Sequence, residues 1–368
     1  MRIVALAAEG ARNLAPLQLA PGPRFNVFTG DNGQGKTNLL EVVYVLATLR
    51  SFRCARLADT IRRGAPRATL AARVVKDDLE RRYQVVLEPG HRKVTLDGKA
   101  PRPLARYFGS FNVVLFAPED LQIARGAPAE RRRFLDRAVF GWRPAYLELA
   151  QAYEKVLRSR NAVLRNAPHD RRTPDLLAVY DAQLAPLAVE IARTRRGLLD
   201  ELTPRFAAGF EAITRSGLPV ALELATAPEL AAGDAGAVLA ALVRDRARDL
   251  ARGATSLGPH RDDLVFRFAG AEAALFASQG QLRALILAWK TAELDLLRQT
   301  HGDPPILLLD DVSSELDDAR NVYLFDHLAS RDLQCFITTT HPRHVRLTRD
   351  RVDHVVVDGV ISQVVQGP

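Results

Sequence analysis

The chain has 368 residues, of which 47% are hydrophobic, with 51 Lys and Arg against 43 Asp and Glu. These proportions exclude a disordered or collagen-like chain, and no apolar run nears the ~18–20 residues that span a bilayer. The length suggests two domains, or one large domain with an insertion, and the formal net charge of +8 leaves an acidic partner open.

The first part is β-rich. Strands are expected at Arg2–Ala8 and Phe25–Thr29, around a turn at Pro21-Gly22-Pro23. Arg67–Val75 and Arg82–Leu87 form a second pair, Pro89-Gly90 is a turn, and Lys93–Leu96 closes a meander. Asn112–Phe116 is a short buried strand. From about Leu121 to Ser216 the pattern is helical, with Pro168, Pro174 and Pro204 as punctuation. A strand at Val220–Ala225 follows, then helix to about Arg252. The last part returns to α/β. Asp263–Phe268 and Ala273–Phe276 resemble a hairpin, Gln281–Leu297 is a strong helix, and Pro305–Asp310 is a continuous apolar strand of the kind found inside parallel sheets. Gln334–Thr339 and His354–Val357 complete the strands. The expected fold is α/β, with an α/β body over residues 1–120 and 253–368 split by a mainly helical lobe over 121–252.

Residues 30–37 read Gly30-Asp31-Asn32-Gly33-Gln34-Gly35-Lys36-Thr37 and fit G-x-x-x-x-G-K-[ST] at every fixed position. An apolar strand precedes them and an amphipathic helix, Asn38–Arg50, follows. Glycines allow backbone conformations closed to other residues, so the loop N–H groups can point at phosphate oxygens at the positive end of a helix. Lys36 is placed to reach the β- and γ-phosphates, and Thr37 to ligate Mg²⁺. The strand Ile306–Asp310 ends in two carboxylates, a costly arrangement unless something binds them. Asp310 is the Mg²⁺ partner of Thr37, and Asp311 is placed as general base for an attacking water. Ser278-Gln279-Gly280-Gln281, before a long helix, makes a second anion site. Two helix N-termini cannot easily serve one γ-phosphate within one subunit, but a head-to-tail pair of subunits can use both.

Ser278–Gln281 resembles the signature motif of ABC-type ATPases, Asp310–Asp317 resembles their Walker B and D-loop, and His341 resembles their switch histidine. The finer resemblance is to the RecF family. It rests on Asp31–Leu40 with Glu41, Ser51-Phe52-Arg53, Phe116–Leu121, Gly126-Ala127-Pro128, Arg131–Asp136, Gly258–Leu264 and Ser278–Arg283, in the family's order over essentially the whole chain. Arg12-Asn13 resembles an N-terminal motif of SMC-type heads in which an Arg approaches the nucleotide. For the Q-loop, either Gln122 or the Glu119-Asp120 pair fills the place.

The resemblance implies an ABC-ATPase-like head and a weak Mg²⁺-dependent ATPase. Its nucleotide would contact Arg12, the loop residues Gly30 to Asn38, and Ser278, Gly280 and Gln281. Lys36, Asp310, Asp311, Ser278 and His341 would serve hydrolysis. It implies a homodimer formed on ATP and binding to DNA, single- or double-stranded, gapped or at junctions. It further implies RecR and RecO partners, and recombinase (RecA) loading on SSB-coated strands. The 242 positions between Lys36 and Ser278, broken by prolines, leave no room for a long coiled coil. An ABC transporter subunit is the alternative, and no membrane contact is expected. With only Cys54 and Cys335, far apart, neither a disulfide framework nor a zinc site is expected and a reducing cytoplasm is the simplest location.

Basic clusters at Arg62-Arg63, Arg131–Arg133, Arg171-Arg172, Arg195-Arg196 and Arg244/Arg246/Arg248/Arg252 suit a phosphate backbone. With 45 arginines and six lysines, however, paired Arg is equally expected on any solvated helix. His260-Arg261 is either a structural motif or a site.

Overall fold

The computed structural model describes residues 1–102, 104–108, 111–166 and 172–364. In chain order the elements are β1 (Arg2–Glu9), β2 (Leu17–Leu19), β3 (Phe25–Thr29), α1 (Lys36–Thr48), β4 (Ala68–Lys76), β5 (Leu79–Glu88), β6 (His91–Leu96) and β7 (Val113–Phe116). The helical stretch holds α2 (Pro128–Trp142), α3 (Tyr146–Asn166) and α4 (Thr173–Thr214). Then come β8 (Val220–Ala225), α5 (Pro228–Ala232), α6 (Ala235–Arg244), α7 (Arg246–Arg252), β9 (Asp263–Phe268), β10 (Ala271–Glu272) and α8 (Ala273–Phe276). The chain ends with α9 (Gln279–His301), β11 (Ile306–Asp310), α10 (Val312–Glu315), α11 (Asp318–Ala329), β12 (Cys335–Thr339), β13 (Arg351–Val357) and β14 (Val360–Gln363).

Two compact units result. The first comprises residues 1–121, 212–215 and 286–368. It holds a five-stranded antiparallel sheet in the order β2-β1-β4-β5-β6 and a six-stranded sheet in the order β14-β13-β3-β12-β11-β7. In the second sheet every pairing is parallel except β13 with β14. β11 and β12 are buried at every residue, which explains their unbroken apolar runs. β4 alternates instead, because only one face of its sheet is covered. The parallel arrangement brings the carboxyl ends of β3, β12, β11 and β7 to one edge, where open α/β sheets bind ligands.

The second unit comprises residues 122–211 and 216–285. It is mainly helical around a small sheet, β10-β9-β8. Residues 253–285, expected with the α/β body, cluster here, because β9 pairs antiparallel with β8 along its whole length. Ala273–Phe276 is a helical turn rather than a hairpin strand; only Ala271 and Glu272 pair with β9. Pro204, expected to punctuate, lies inside the 42-residue α4, as does Pro186. Each interior proline costs a helix about 3 kcal/mol. The buried stripe Leu177, Leu184, Ile191, Leu198, Leu202, Phe206 and Phe210 offsets that cost. Pro168 lies outside the described residues.

Candidate nucleotide site

The site starts from backbone. β3 runs into Gly30, where an added Cβ would lie 2.3 Å from Val356 O, so the close approach of β13 demands glycine. Gly33 and Gly35 have φ of 80° and 112°, outside the range most residues adopt. Gly35 is the N-cap of α1, whose first-turn N–H groups have no partner within the helix. A helix N-terminus with a looped backbone before it is an anion-binding concavity.

Lys36 lies back across this loop. Its Nζ donates to Gly30 O at 2.6 Å and Asp31 O at 2.8 Å. Burial lowers its pKa, against the pull of Asp311, Asp310 and Asp31. Thr37 Oγ1 donates to Asp310 Oδ1 at 2.9 Å, and Thr338 Oγ1 donates to the same oxygen at 2.7 Å. This joins the loop helix to the end of β11 across 273 positions. Burial raises the Asp310 carboxyl above its usual range, although the two hydroxyl bonds pull the other way. A buried carboxylate beside a hydroxyl is the hard oxygen pair that suits Mg²⁺, an ion usually held by one or two carboxylates plus phosphate oxygens. Among the described residues no group of three His, Cys, Asp or Glu is placed to hold a metal by itself.

Asp311 takes the left-handed conformation, φ 47°, held by bonds from its N–H to Thr338 O and Oγ1, both 3.1 Å. Its Oδ1 is buried and has no hydrogen-bond partner among the described residues. An unpaired buried acceptor is expensive to keep, and such groups concentrate where chemistry is done. His341 leaves the end of β12 between β3 and β11, exposed, with its ring against His344 at 5.2 Å. Glu119 follows β7 at the same sheet edge and repels Asp310. Asp120 is buried and pairs with Lys290 at 3.5 Å, so of the Glu119-Asp120 pair only Glu119 is exposed. Gln122 belongs to the second unit.

Arg12 is not free. It forms a two-pronged pair with Glu41 of α1, at 2.8 and 2.9 Å, and Glu41 also accepts from Ser51. The hydrogen bond to Glu41 raises the Arg12 pKa, while burial opposes it. Asn13, beside it, donates to Gly33 O at 2.9 Å, and Asn38 donates to Asn13 Oδ1 at 2.6 Å. Gln34 turns away from the loop mouth: Asp358 N–H donates to its Oε1 and Gly359 N–H to its O. Asp31 and Asn32 are exposed at the mouth.

In the second unit, Ser278 is the N-cap of the 23-residue α9 in a reciprocal arrangement with Gln281. Ser278 Oγ accepts from Gln281 N at 3.2 Å, and Gln281 Oε1 accepts from Ser278 N at 2.8 Å. Arg125 holds the preceding turn through Ala274 O and Ala277 O. Ser278 is exposed and Gly280 half-buried, so this helix end is open to a ligand.

Most arginines of the basic clusters have partners within the chain, although Arg244 and Arg248 keep theirs at the surface. Arg131 pairs with Asp263, and Arg132 donates to Asp262 O. Arg195 is buried between Asp136 and Asp262, and Arg196 donates to Ala231 O. Arg244, Arg246 and Arg248 pair with Glu229, Asp181 and Asp245. Arg62 donates to Arg12 O and Leu14 O. Arg63, Arg133 and Arg252 keep exposed side chains, and Arg171 lies outside the described residues. His260 is structural: one ring nitrogen meets Tyr153 Oη at 2.6 Å and the other Thr255 O at 3.0 Å.

The sequence pattern of the RecF/RecN/SMC N-terminal domain matches residues 2–362. A DNA replication and repair protein RecF of Anaeromyxobacter sp. (strain Fw109-5) is 43% identical over 376 residues, covering 99% of this chain and all of that one. The RecF of Myxococcus xanthus is 43% identical over 356 residues, covering 94% of this chain and 92% of its own. A solved structure of the recombination mediator protein RecF with ATPrS, in the RecFOR pathway, superposes with a TM-score of 0.89 at 27% identity, covering 99% and 98% of the two chains. An Smc head bound to the C-terminal winged-helix domain of ScpA superposes at 0.55 and 17% identity, over 99% and 97% of the two chains, which shows a shared fold.

Proposed function

The chain belongs to the RecF/RecN/SMC N-terminal domain family and, within it, to the RecF proteins of DNA replication and repair, and on that premise we propose that it is an ATP-driven DNA clasp whose two copies close over two nucleotides. The observation that carries the ATP reading is the Thr37–Asp310 bond, which puts a loop hydroxyl and a buried carboxylate on one spot beside Lys36. In the proposed cycle Lys36 leaves the carbonyls of Gly30 and Asp31 for the β- and γ-phosphates. Thr37 and Asp310 would hold Mg²⁺, which would neutralise phosphate charge there. Asp311, with an unpaired oxygen, orients the attacking water and accepts its proton. His341 senses the γ-phosphate from the end of β12. Asp31, Asn32 and Asn38 line the loop mouth.

Ser278, Gly280 and Gln281 of one copy complete the phosphate site of the other. Support comes from the exposed, capped start of α9, whose dipole favours an anion. Closure grips DNA through its phosphate backbone, with gapped or junction DNA as the substrate class. RecR and RecO are the proposed partners, and recombinase loading on SSB-coated strands the outcome. Arg63, Arg133 and Arg252 are the exposed contacts we favour. The protein works in the cytoplasm, on the nucleoid when bound. No described helix is long and apolar enough to cross a membrane, and the family assignment removes the support for a transporter subunit.

ATP turnover and DNA retention test this reading together. Turnover should vanish in Asp310→Asn and Asp311→Asn, while Asp311→Asn should still bind ATP and hold gapped DNA longer than the unmodified protein. Unchanged turnover in both variants would refute hydrolysis at this site, and faster DNA release in Asp311→Asn would refute the clasp.

A further inference from the structure

The phosphate-binding loop is held from two sides that the strand–loop–helix motif does not include. On one side stands Asn13, bonded to Gly33 O and to Asn38, which itself accepts from Arg53. On the other side stands the turn Asp358-Gly359 between β13 and β14. Gly359 N–H donates to Gln34 O at 2.9 Å, and Asp358 N–H donates to the Gln34 side chain. The two sides are tied together, since Ala15 N–H donates to Gly359 O at 2.9 Å. Gly359 has φ +78°, and a Cβ there would lie 2.0 Å from Asn13 O. Three segments far apart in sequence therefore meet at one point with no room for a further atom.

A phosphate-binding loop works through the direction of its N–H groups. A loop that samples other directions binds in proportion to the competent fraction, so holding it in place raises affinity without any new ligand contact. We propose that the Asp358-Gly359 turn is a positioning element for the nucleotide: it fixes Gln34 directly and Gly33 through Asn13, so that the C-terminal hairpin sets the affinity of the loop for the phosphates of ATP. The Gln34 side chain is then a strut between the loop and the hairpin rather than a contact to ATP, while its backbone N–H stays in the loop. The inference rests on the reading that this loop binds ATP.

Titration of the full-length protein with a fluorescent ATP analogue and Mg²⁺ tests it. Gly359→Ala should weaken binding about tenfold. Gly90→Ala is the control, because Gly90 has φ +79° in another hairpin turn with open space around it. It bears the same backbone strain and should leave affinity unchanged. Gln34→Ala should weaken binding as well, and the double variant Gln34→Ala/Gly359→Ala should be no weaker than the worse single one, as expected for two residues acting through one contact. Asn13→Ala, which adds no atom, carries the test if Gly359→Ala fails to fold, and should give the same loss with no further loss when combined with Gln34→Ala. Equal affinity for Gly359→Ala and Gly90→Ala, or additive losses with Gln34→Ala, would overturn the inference. No binding by the unmodified protein would instead overturn the ATP reading beneath it.

Discussion

The Gly30–Thr37 loop and the Gly258–Leu264 run each open on a glycine and carry charged side chains, but they use them differently. In the loop, Asp31 and Asn32 are exposed and the backbone does the work. In the second run, His260, Asp262 and Asp263 are bonded to Tyr153, Arg195 and Arg131. A Cβ on Gly258 would lie 2.3 Å from Tyr153 Oη, so this glycine admits a side chain, where Gly30 admits a strand. The loop keeps its strongest groups ready for a ligand. The second run spends its own on neighbours: Asp136 and Asp262 hold Arg195 so firmly that its pKa rises although burial works against the charge. The difference lies in the partners: Lys36 is bonded to carbonyls of its own loop, which a phosphate can replace, whereas Arg195 is locked between two carboxylates.

If this contrast is right, the two runs fail differently. The largest effect is expected from Lys36→Met, which should cut ATP turnover by about a hundredfold or more while leaving the melting temperature nearly unchanged. Arg195→Met should do the reverse. It leaves Asp262 buried without its cation, at a cost of about 3–5 kcal/mol, seen as a lower urea midpoint. Loss of turnover at unchanged stability in Arg195→Met would turn the second run into a functional site.

The smallest effect is a pH dependence. Burial is the main cause that lowers His260 to a pKa of about 4, so the unfolded chain takes up its proton first. Stability from this residue is present above about pH 6.5 and is lost as pH falls toward 4, by at most about 3 kcal/mol. The gap in urea midpoint between pH 7.5 and pH 5 should narrow in His260→Gln. An unchanged gap would place the acid sensitivity elsewhere, with His327, which burial also lowers to about 4, the first alternative.

The sequence made the nucleotide end of the molecule legible because its signals are local. A strand, a glycine loop and a Lys-Thr pair follow one another within a dozen residues, and β3, β8 and β9 fall on the residues their patterns indicate. Asp310 was legible for the same reason, as the end of an unbroken apolar strand. What escaped depends on distant partners. Nothing beside Arg195 in the sequence announces Asp136 or Asp262, and nothing beside Arg12 marks it for Glu41. Pro204 misled because burial along α4 outweighs a local breaker. Asp358-Gly359, between Val355–Val357 and Val360-Ile361, is a two-residue hairpin turn with φ of 49° and 78°, a local pattern that predicts β14. That turn then reaches the loop 324 positions away, a contact no pattern shows.

In the proposed cycle ATP joins two copies, each lending Ser278 to the other's nucleotide. Sedimentation velocity with and without ATP tests it most directly, using Asp311→Asn to keep the nucleotide intact and comparing it with Asp311→Asn/Ser278→Asp. Aspartate keeps the helix cap but sets a negative charge against the phosphate. The account predicts a monomer without ATP, a dimer with ATP, and a monomer throughout for the double variant, which still binds ATP. A dimer that forms without ATP, or that survives Ser278→Asp, would contradict it.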